Sequence, residues 1–197
     1  MIITIGRQHG SNGHEIARAL AAKTGYPCYD KEIVDHAANI SDFSKEIFDS
    51  YDEKRVSPYV FQTPHYMGGM HEGFRLNMQV ASAQFDAIRA LAEKGDGIFV
   101  GRCADYVLRN RPDLVKVFIM ADPPVRTAVL MERKGITEEQ AKKLLKEVDK
   151  DRGSYYKYYT DQIWGEAENY DLCIDAGRIS VDGAVAVIKA YIDALGE

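Results

Sequence analysis

Five short apolar runs, rich in β-branched residues, punctuate the chain at Ile2–Ile5, Pro27–Tyr29, Ile98–Val100, Val115–Met120 and Asp171–Ile174. Stretches with helical period lie between them, and that alternation predicts a parallel sheet with helices on its faces. Ile16, Ala17, Leu20 and Ala21 form an apolar stripe that ends at Thr24-Gly25, a helix-stop signal. Phe74, Met78, Ala81, Phe85, Ile88 and Ala92 recur in steps of four and three up to Gly95, the clearest amphipathic helix. Asp122 is placed to cap a helix with Pro123 in its first turn, running to Gly135. Thr137 with Gln140 makes a capping box for the next helix, whose predicted buried face is Ala141, Leu144, Leu145 and Val148. Ser180 caps the last, with Ala184, Val187, Tyr191 and Leu195 expected to face inward. Two segments break the regularity. Residues 56–73 hold Pro58, Pro64, Gly68, Gly69 and Gly73 among scattered aromatics and read as an excursion; residues 150–164, dense in charge and tyrosine, read as an irregular lid.

A chain of 197 residues is long enough to bury a sizeable core, and we expect one domain. Apolar residues at 46% and charged residues at 28% exclude disorder of the whole chain. A net charge of −5 supplies no global basic field to track a nucleic-acid backbone, so any phosphate recognition must be local. The longest apolar runs fall far short of the roughly 20 residues of a membrane-spanning helix. Met1–Ile5 reads as a strand, not as the basic head of a signal peptide, so a cytoplasmic location is the expectation. Cys28, Cys103 and Cys173 match neither a disulfide framework nor a zinc motif and read as small buried thiols. His65 and His71 flank Met67 and Met70 without forming a metal-ligand set.

The chemistry-bearing segment follows the first strand: Gly6-Arg7-Gln8-His9-Gly10-Ser11-Asn12-Gly13-His14-Glu15. A glycine-containing turn from strand to helix aims backbone N–H groups and the positive end of the helix dipole at one point, which suits phosphate. The same glycines also serve a plain connection between strand and helix. The sequence matches neither GxxxxGK[ST] nor GxGxxG, because Gly13 and His14 stand where lysine and a hydroxyl residue belong.

Thr4-Ile5 followed by Gly10-Ser11-Asn12-Gly13 and Ala17 has the length and phase of the first strand and phosphate loop of bacterial cytidylate kinases. GRQHGSNGHEIA, YDKEIV, VGRCADYVL and DKDRGSYYKYYT then follow in the right order, and the whole resembles the divergent cytidylate kinase-like family of P-loop kinases. The resemblance implies a three-layer fold with a five-stranded parallel sheet of order 2-3-1-4-5, an acceptor-side excursion over about 31–95 and a helical lid over about 133–164. It implies transfer of the ATP γ-phosphoryl, with Mg²⁺, to a small phosphate-bearing acceptor. Gly6, His9, Gly10, Ser11, Asn12, Gly13 and His14 would hold the donor phosphates, with Arg126 and Arg133 on the donor side. Arg102 resembles the acceptor-phosphate arginine. Asp30, Lys31, His36 and Asp149 fall at acceptor positions, and Asp149 with Arg152 resembles a pair that touches acceptor sugar and phosphate. Lys31 and His36 replace a serine and an arginine, Gly13 replaces the loop lysine, and Val100 replaces a strand-end acid.

Replacement charge is available in Arg7, at the mouth of the loop, and in Lys31 and Arg102 at neighbouring strand ends, where ligands bind in open α/β sheets. Glu15, in the first helical turn, suits either Mg²⁺ or the helix dipole. Asp30 suits a general base, a magnesium ligand or a helix cap. Arg126, Arg133 and Arg152 lie on acid-rich helices, where surface ion pairs are the alternative to ligand contact. The tyrosines at 155, 156, 158 and 159 with Trp164 suit either base stacking or core. A catalytically inactive nucleotide or phosphate sensor is the alternative to a kinase. A short-chain dehydrogenase, suggested by the loop glycines alone, is excluded because no lysine follows a tyrosine by four.

Overall fold

A computed structural model describes residues 1–41, 43–54 and 68–196, with the side chains at 49 and 68–74 not described. The strands are β1 (Ile2–Arg7), β2 (Cys28–Tyr29), β3 (Gly97–Val100), β4 (Leu114–Met120) and β5 (Leu172–Asp175). They form one sheet of order β2-β3-β1-β4-β5, and each pairing is parallel. β1 is central, paired from Ile2 to Ile5 with β3 and from Ile2 to Arg7 with β4.

Alternate residues of β1 feed two cores. Ile3 and Ile5 pack with Ile16, Ala17 and Leu20 of α1 (Gly13–Thr24) and with Ala184, Val185 and Ile188 of α8 (Val181–Leu195). Ile2 joins Ile33, Val34 and Ala37 of α2 (Lys31–Ile40), Phe48 of α3 (Lys45–Tyr51), Ile88 and Leu91 of α4 (Gly68–Ala92), and Ala104 of α5 (Ala104–Val107). Apolar burial on both faces is what a parallel sheet requires. α6 (Pro123–Lys134) and α7 (Glu138–Thr160) close on each other through Leu130, Ala141 and Leu145.

The termini follow their local chemistry. Gly25, at φ 76°, ends α1 by donating its N–H to Ala21 O, a left-handed conformation that costs glycine nothing. The capping box of Thr137 and Gln140 opens α7, and Ser180 caps α8. Asp122 precedes α6 without a side-chain cap bond, and so does Asp30 at α2, whose carboxylate is drawn elsewhere.

Four expectations are corrected. Residues 150–160 are not irregular: α7 runs unbroken to Thr160 and stops at Asp161, because Tyr155 and Tyr156 bury one face while Lys150 and Lys157 stay exposed and Arg152 turns into the site. Gly68–Gly73 continue α4 toward its N-terminus; tertiary packing of a 25-residue helix overrides glycine's poor propensity. Residues 56–67, His65 among them, and the side chain of His71 lie outside the described residues. In α8 the buried stripe is Ala184, Val185 and Ile188, while Val187 and Leu195 are 44% and 56% exposed, because the sheet covers a face one position out of phase with the expected one. Among the cysteines Cys103 is buried and Cys28 half-buried, but Cys173 is exposed on edge strand β5.

Phe118 of β4 supports the site from below: it packs edge-on against Trp164 and at a tilt against Tyr170, and a Cβ on Gly6 would sit 2.8 Å from its ring. Phe118→Ala therefore empties a filled space, and a loss of about 3–5 kcal/mol is expected in urea unfolding.

Candidate functional site

The loop after β1 is fastened before any ligand arrives. Gln8 donates its N–H to Ile119 O and accepts the N–H of Ala121, while the Ser11 hydroxyl contacts Gln8 O and Ile119 O. Gly10 (φ 76°) and Asn12 (φ 63°) turn the backbone left-handed so that α1 can start at Gly13. A Cβ at Gly10 would meet Arg126 O at 2.9 Å, so the loop rests on α6. Arg126, 7% exposed, donates to Ala121 O and His9 O and pairs with Asp149 of α7; Asp149 also accepts the His9 N–H at 2.8 Å. In this arrangement Arg126 and Asp149 brace the loop from outside.

Arg7 leaves the end of β1 and crosses the start of α1. A Cβ on Gly13 would lie 2.5 Å from Arg7 Cβ and 2.8 Å from its Cγ. The space that a side chain at position 13 would take is thus occupied by the stem of this arginine. His9, Gly10, Ser11, Asn12, Gly13, His14 and Glu15 of the loop, with Arg133, Lys134 and Arg152 opposite, line a hollow of about 160 Å³. Arg7 Nε, His9 Nε2 and Glu15 Oε2 are buried without a hydrogen-bond partner among the described residues, and all three residues line this hollow. Arg133 bonds Glu15 Oε1 and Asn12 Oδ1 across it. Burial first, and then Arg152, lowers the His9 pKa from 6.5 to about 4, so its imidazole is neutral. Gly6 lies beneath the loop against Phe118 rather than in the hollow.

A larger cleft, of about 580 Å³, adjoins the hollow at the carboxyl ends of β1, β2 and β3. Gly101, Arg102 and Cys103 after β3 take positive φ values of 73°, 54° and 55°. Such conformations cost non-glycine residues roughly 1–2 kcal/mol each; the turn is tied by Gly101 N–H donating to Ile5 O at 3.1 Å and Ala104 N–H donating to Gly101 O at 3.0 Å, and it aims the Arg102 N–H at Glu53 Oε1, 2.9 Å away. The Arg102 side chain, 4% exposed, bonds both oxygens of Asp52 and reaches Asp30 Oδ1 at 3.0 Å. Glu53 accepts from Arg7 Nη1 at 2.6 Å and from Arg152 Nε at 3.0 Å. Burial penalises the Glu53 charge, yet Arg7, Arg152 and Arg102 hold its carboxyl well below the usual range. Burial likewise works against ionised Asp30, but its hydrogen bond with His14 and the Arg102 charge lower its pKa. Asp52 is pushed up, because burial outweighs Arg102.

The structure therefore brings Arg7, Arg102, Arg152, His14, Asp30 and Lys31 around one cleft. It leaves His36 on α2, half-buried and outside the cleft lining. Sequence reasoning missed Asp52 and Glu53, which sit in the charged run Asp52-Glu53-Lys54-Arg55 without any motif. The one legible sign was Gln84, a polar residue four positions from both Val80 and Ile88 on the apolar face of α4. It is fully buried and donates to Asp52 Oδ1.

Gly13→Ala forces its methyl group into Arg7, and urea unfolding should show a loss of about 1–3 kcal/mol from overpacking. Gly183→Ala, in the first turn of α8 with only ordinary contacts in reach, should be neutral or stabilising in the same measurement.

Residues 2–178 match the model of the cytidylate kinase-like family. The cytidylate kinase of Methanopyrus kandleri is 27% identical over 215 residues, covering 100% of this chain and 95% of its own. An uncharacterised protein from Eubacterium ventriosum superposes with a TM-score of 0.73 at 31% identity, covering 98% of both chains. The shikimate kinase of Bacteroides thetaiotaomicron, at 12% identity and a TM-score of 0.59 over 98% of each chain, shares the fold. With the sheet order, the loop after β1 and a match over nearly its full length in agreement, the chain belongs to the cytidylate kinase-like family.

Proposed function

We propose that this protein is a nucleotide-dependent phosphotransferase that moves the γ-phosphoryl of ATP to a small phosphate-bearing acceptor. The observation that supports the donor site best is that Arg7, His9 and Glu15, which line one hollow with loop backbone and the N-terminus of α1, each carry a buried polar atom with no hydrogen-bond partner among the described residues. Orphaned polar atoms cost free energy unless a ligand satisfies them. Two of the residues suit phosphate oxygens. The third, a carboxylate oxygen, suits Mg²⁺, so the side chains present fit a magnesium nucleotide.

In this reading the donor phosphates lie along Gly10–Gly13 and accept from the α1 amides. Arg7 supplies the charge that lysine supplies elsewhere, from the strand side of the loop. Glu15 is the side chain that would hold Mg²⁺, which when bound neutralises charge on the phosphates. Arg152, at the border of hollow and cleft, faces the region where charge spreads over the transferring oxygens. The acceptor occupies the cleft with Asp30, Lys31 and Arg102 in reach; the described parts of 31–54 line its side, and 133–164 serves as the lid. In the transfer, an acceptor phosphate oxygen forms the new P–O bond as the bond to the β–γ bridging oxygen breaks, and ADP leaves with that electron pair. An acceptor phosphate already ionised at pH 7 has no proton to surrender, so the absence of an acid at Val100 does not block the step.

A second reading is a nucleotide or phosphate sensor without turnover. The substitution of Gly13 for the loop lysine, and the carboxylates already seated on the cleft arginines, favour it.

Calorimetry with ATP, GTP, CMP and dCMP separates these ideas. Micromolar, Mg²⁺-dependent triphosphate binding is expected, weakened at least tenfold by Arg7→Ala. Binding by no nucleotide would overturn both readings, and binding without ADP formation against any nucleoside monophosphate would leave the sensor. The His9 imidazole gives an independent check by NMR titration. Free protein should show a pKa of about 4, and a bound triphosphate, favouring the charged imidazolium, should raise it. The free protein therefore loses stability as pH falls from about 6.5 toward 4, where the unfolded histidine binds a proton that the folded one does not.

A further inference from the structure

Arg7, His14 and Arg152 line both the loop hollow and the larger cleft, so the boundary between donor and acceptor regions passes through them. The group that occupies this boundary belongs to the protein itself. Glu53 Oε1 takes N–H donors from Arg7 Nη1 at 2.6 Å and from the Arg102 backbone at 2.9 Å, and Oε2 takes Arg152 Nε at 3.0 Å. The two guanidinium side chains are 6% and 11% exposed, and the carboxylate 13%.

The donors are held by features that do not involve Glu53. Arg7 is fixed by β1 and by its close passage over Gly13. The Arg102 amide is aimed by the left-handed turn at Gly101–Cys103. Arg152 donates a second bond, from Nη1 to Arg7 O at 3.0 Å. Gly101 also has to be glycine here, since a Cβ would overlap both Glu53 Oε1 and Arg7 Nη1. Three desolvated N–H groups from three separate segments therefore converge on the Glu53 carboxylate, and charge-assisted donors of this kind suit the oxygens of a phosphoryl group equally.

We propose that this three-donor pocket is the seat of the transferring phosphoryl group, and that the Glu53 carboxylate is a tethered stand-in which that group displaces. The identification as the transfer position rests on the phosphotransferase reading; the oxyanion site itself does not. The ligand-free cluster balances three guanidinium groups, Arg7, Arg102 and Arg152, against three carboxylates, Asp30, Asp52 and Glu53. An incoming phosphoryl group therefore competes with a charge already in place. Asp52 and Asp30 remain on the Arg102 side chain when Glu53 withdraws, so the turn carrying the amide donor keeps its support.

The test uses inorganic phosphate as the probe and calorimetry on the full chain. Glu53→Gln keeps the shape and removes the competing charge, so phosphate affinity is expected to rise at least tenfold, whereas Asp52→Asn, at a carboxylate that bonds the Arg102 side chain and Gln84 and none of the three donors on Glu53, should change it by less than threefold. Unchanged or weaker phosphate binding in Glu53→Gln would make Glu53 a structural brace and overturn the proposal. Should Glu53→Gln fail to fold, the wild-type chain decides: phosphate titration should shift the Glu53 carboxyl carbon and the Arg7 and Arg152 Nε–H resonances while leaving Arg102 Nε–H in place. A Glu53 carboxyl signal that stays fixed at saturating phosphate would sink the idea. Tighter phosphate binding in Glu53→Gln without any nucleotide binding would uphold the oxyanion site and reject the kinase reading. Arg7-dependent ATP binding with a phosphate affinity indifferent to Glu53 would do the reverse.

Discussion

Burying guanidinium groups beside one another demands counter-charge, and the architecture of this site follows from that demand. Arg7, Arg102 and Arg152 all come from segments that cannot retreat to solvent: a central strand end, a left-handed turn and a helix packed on the core. An unpaired buried charge costs several kcal/mol, and breaking a buried pair typically costs about 3–5 kcal/mol. Asp30, Asp52 and Glu53 meet the demand, each from a segment after β2 or α3. The pairs do little for net stability compared with an apolar core of equal volume, which points to their retention for what the arginines bind.

The fold places this cluster where a parallel sheet opens. Strands β1, β2 and β3 all end on the same side, so residues 7, 30 and 102, distant in sequence, arrive within hydrogen-bond reach of common partners. Strand order matters as much as direction: β1 lies between β3 and β4, so its loop is fastened to Ile119 on one side while Arg7 faces the β3 turn on the other. Helix α7 completes the ring from the opposite side, and its tyrosines anchor it. Tyr155 donates to Gln84, and Tyr156 donates to the buried Asp105.

Moving the cation from the helix to the strand has a consequence for the chemistry. A lysine on α1 is a flexible point charge, whereas Arg7 is a planar fork that bonds Glu53 through Nη1. The glycine at 13 is then the space that the arginine stem needs rather than a lost residue.

What the sequence by itself determined is local. Alternating apolar runs fixed the five strands to within a residue or two, and the Thr24-Gly25 stop, the Thr137 capping box and the Ser180 cap held because each depends on neighbours a few positions away. The loop after β1 was legible for the same reason, and family resemblance supplied the strand order that periodicity does not contain. Tertiary structure decided the rest. Asp149 and Arg126 became partners of the loop backbone, and Asp52 and Glu53 were invisible within a charged run, because their roles are set by groups between 32 and 140 positions away in the chain. A side chain's hydrogen-bonding capacity can be read from its identity, but its partner is chosen by the packing of helices on the sheet, and that packing is a property of the whole chain.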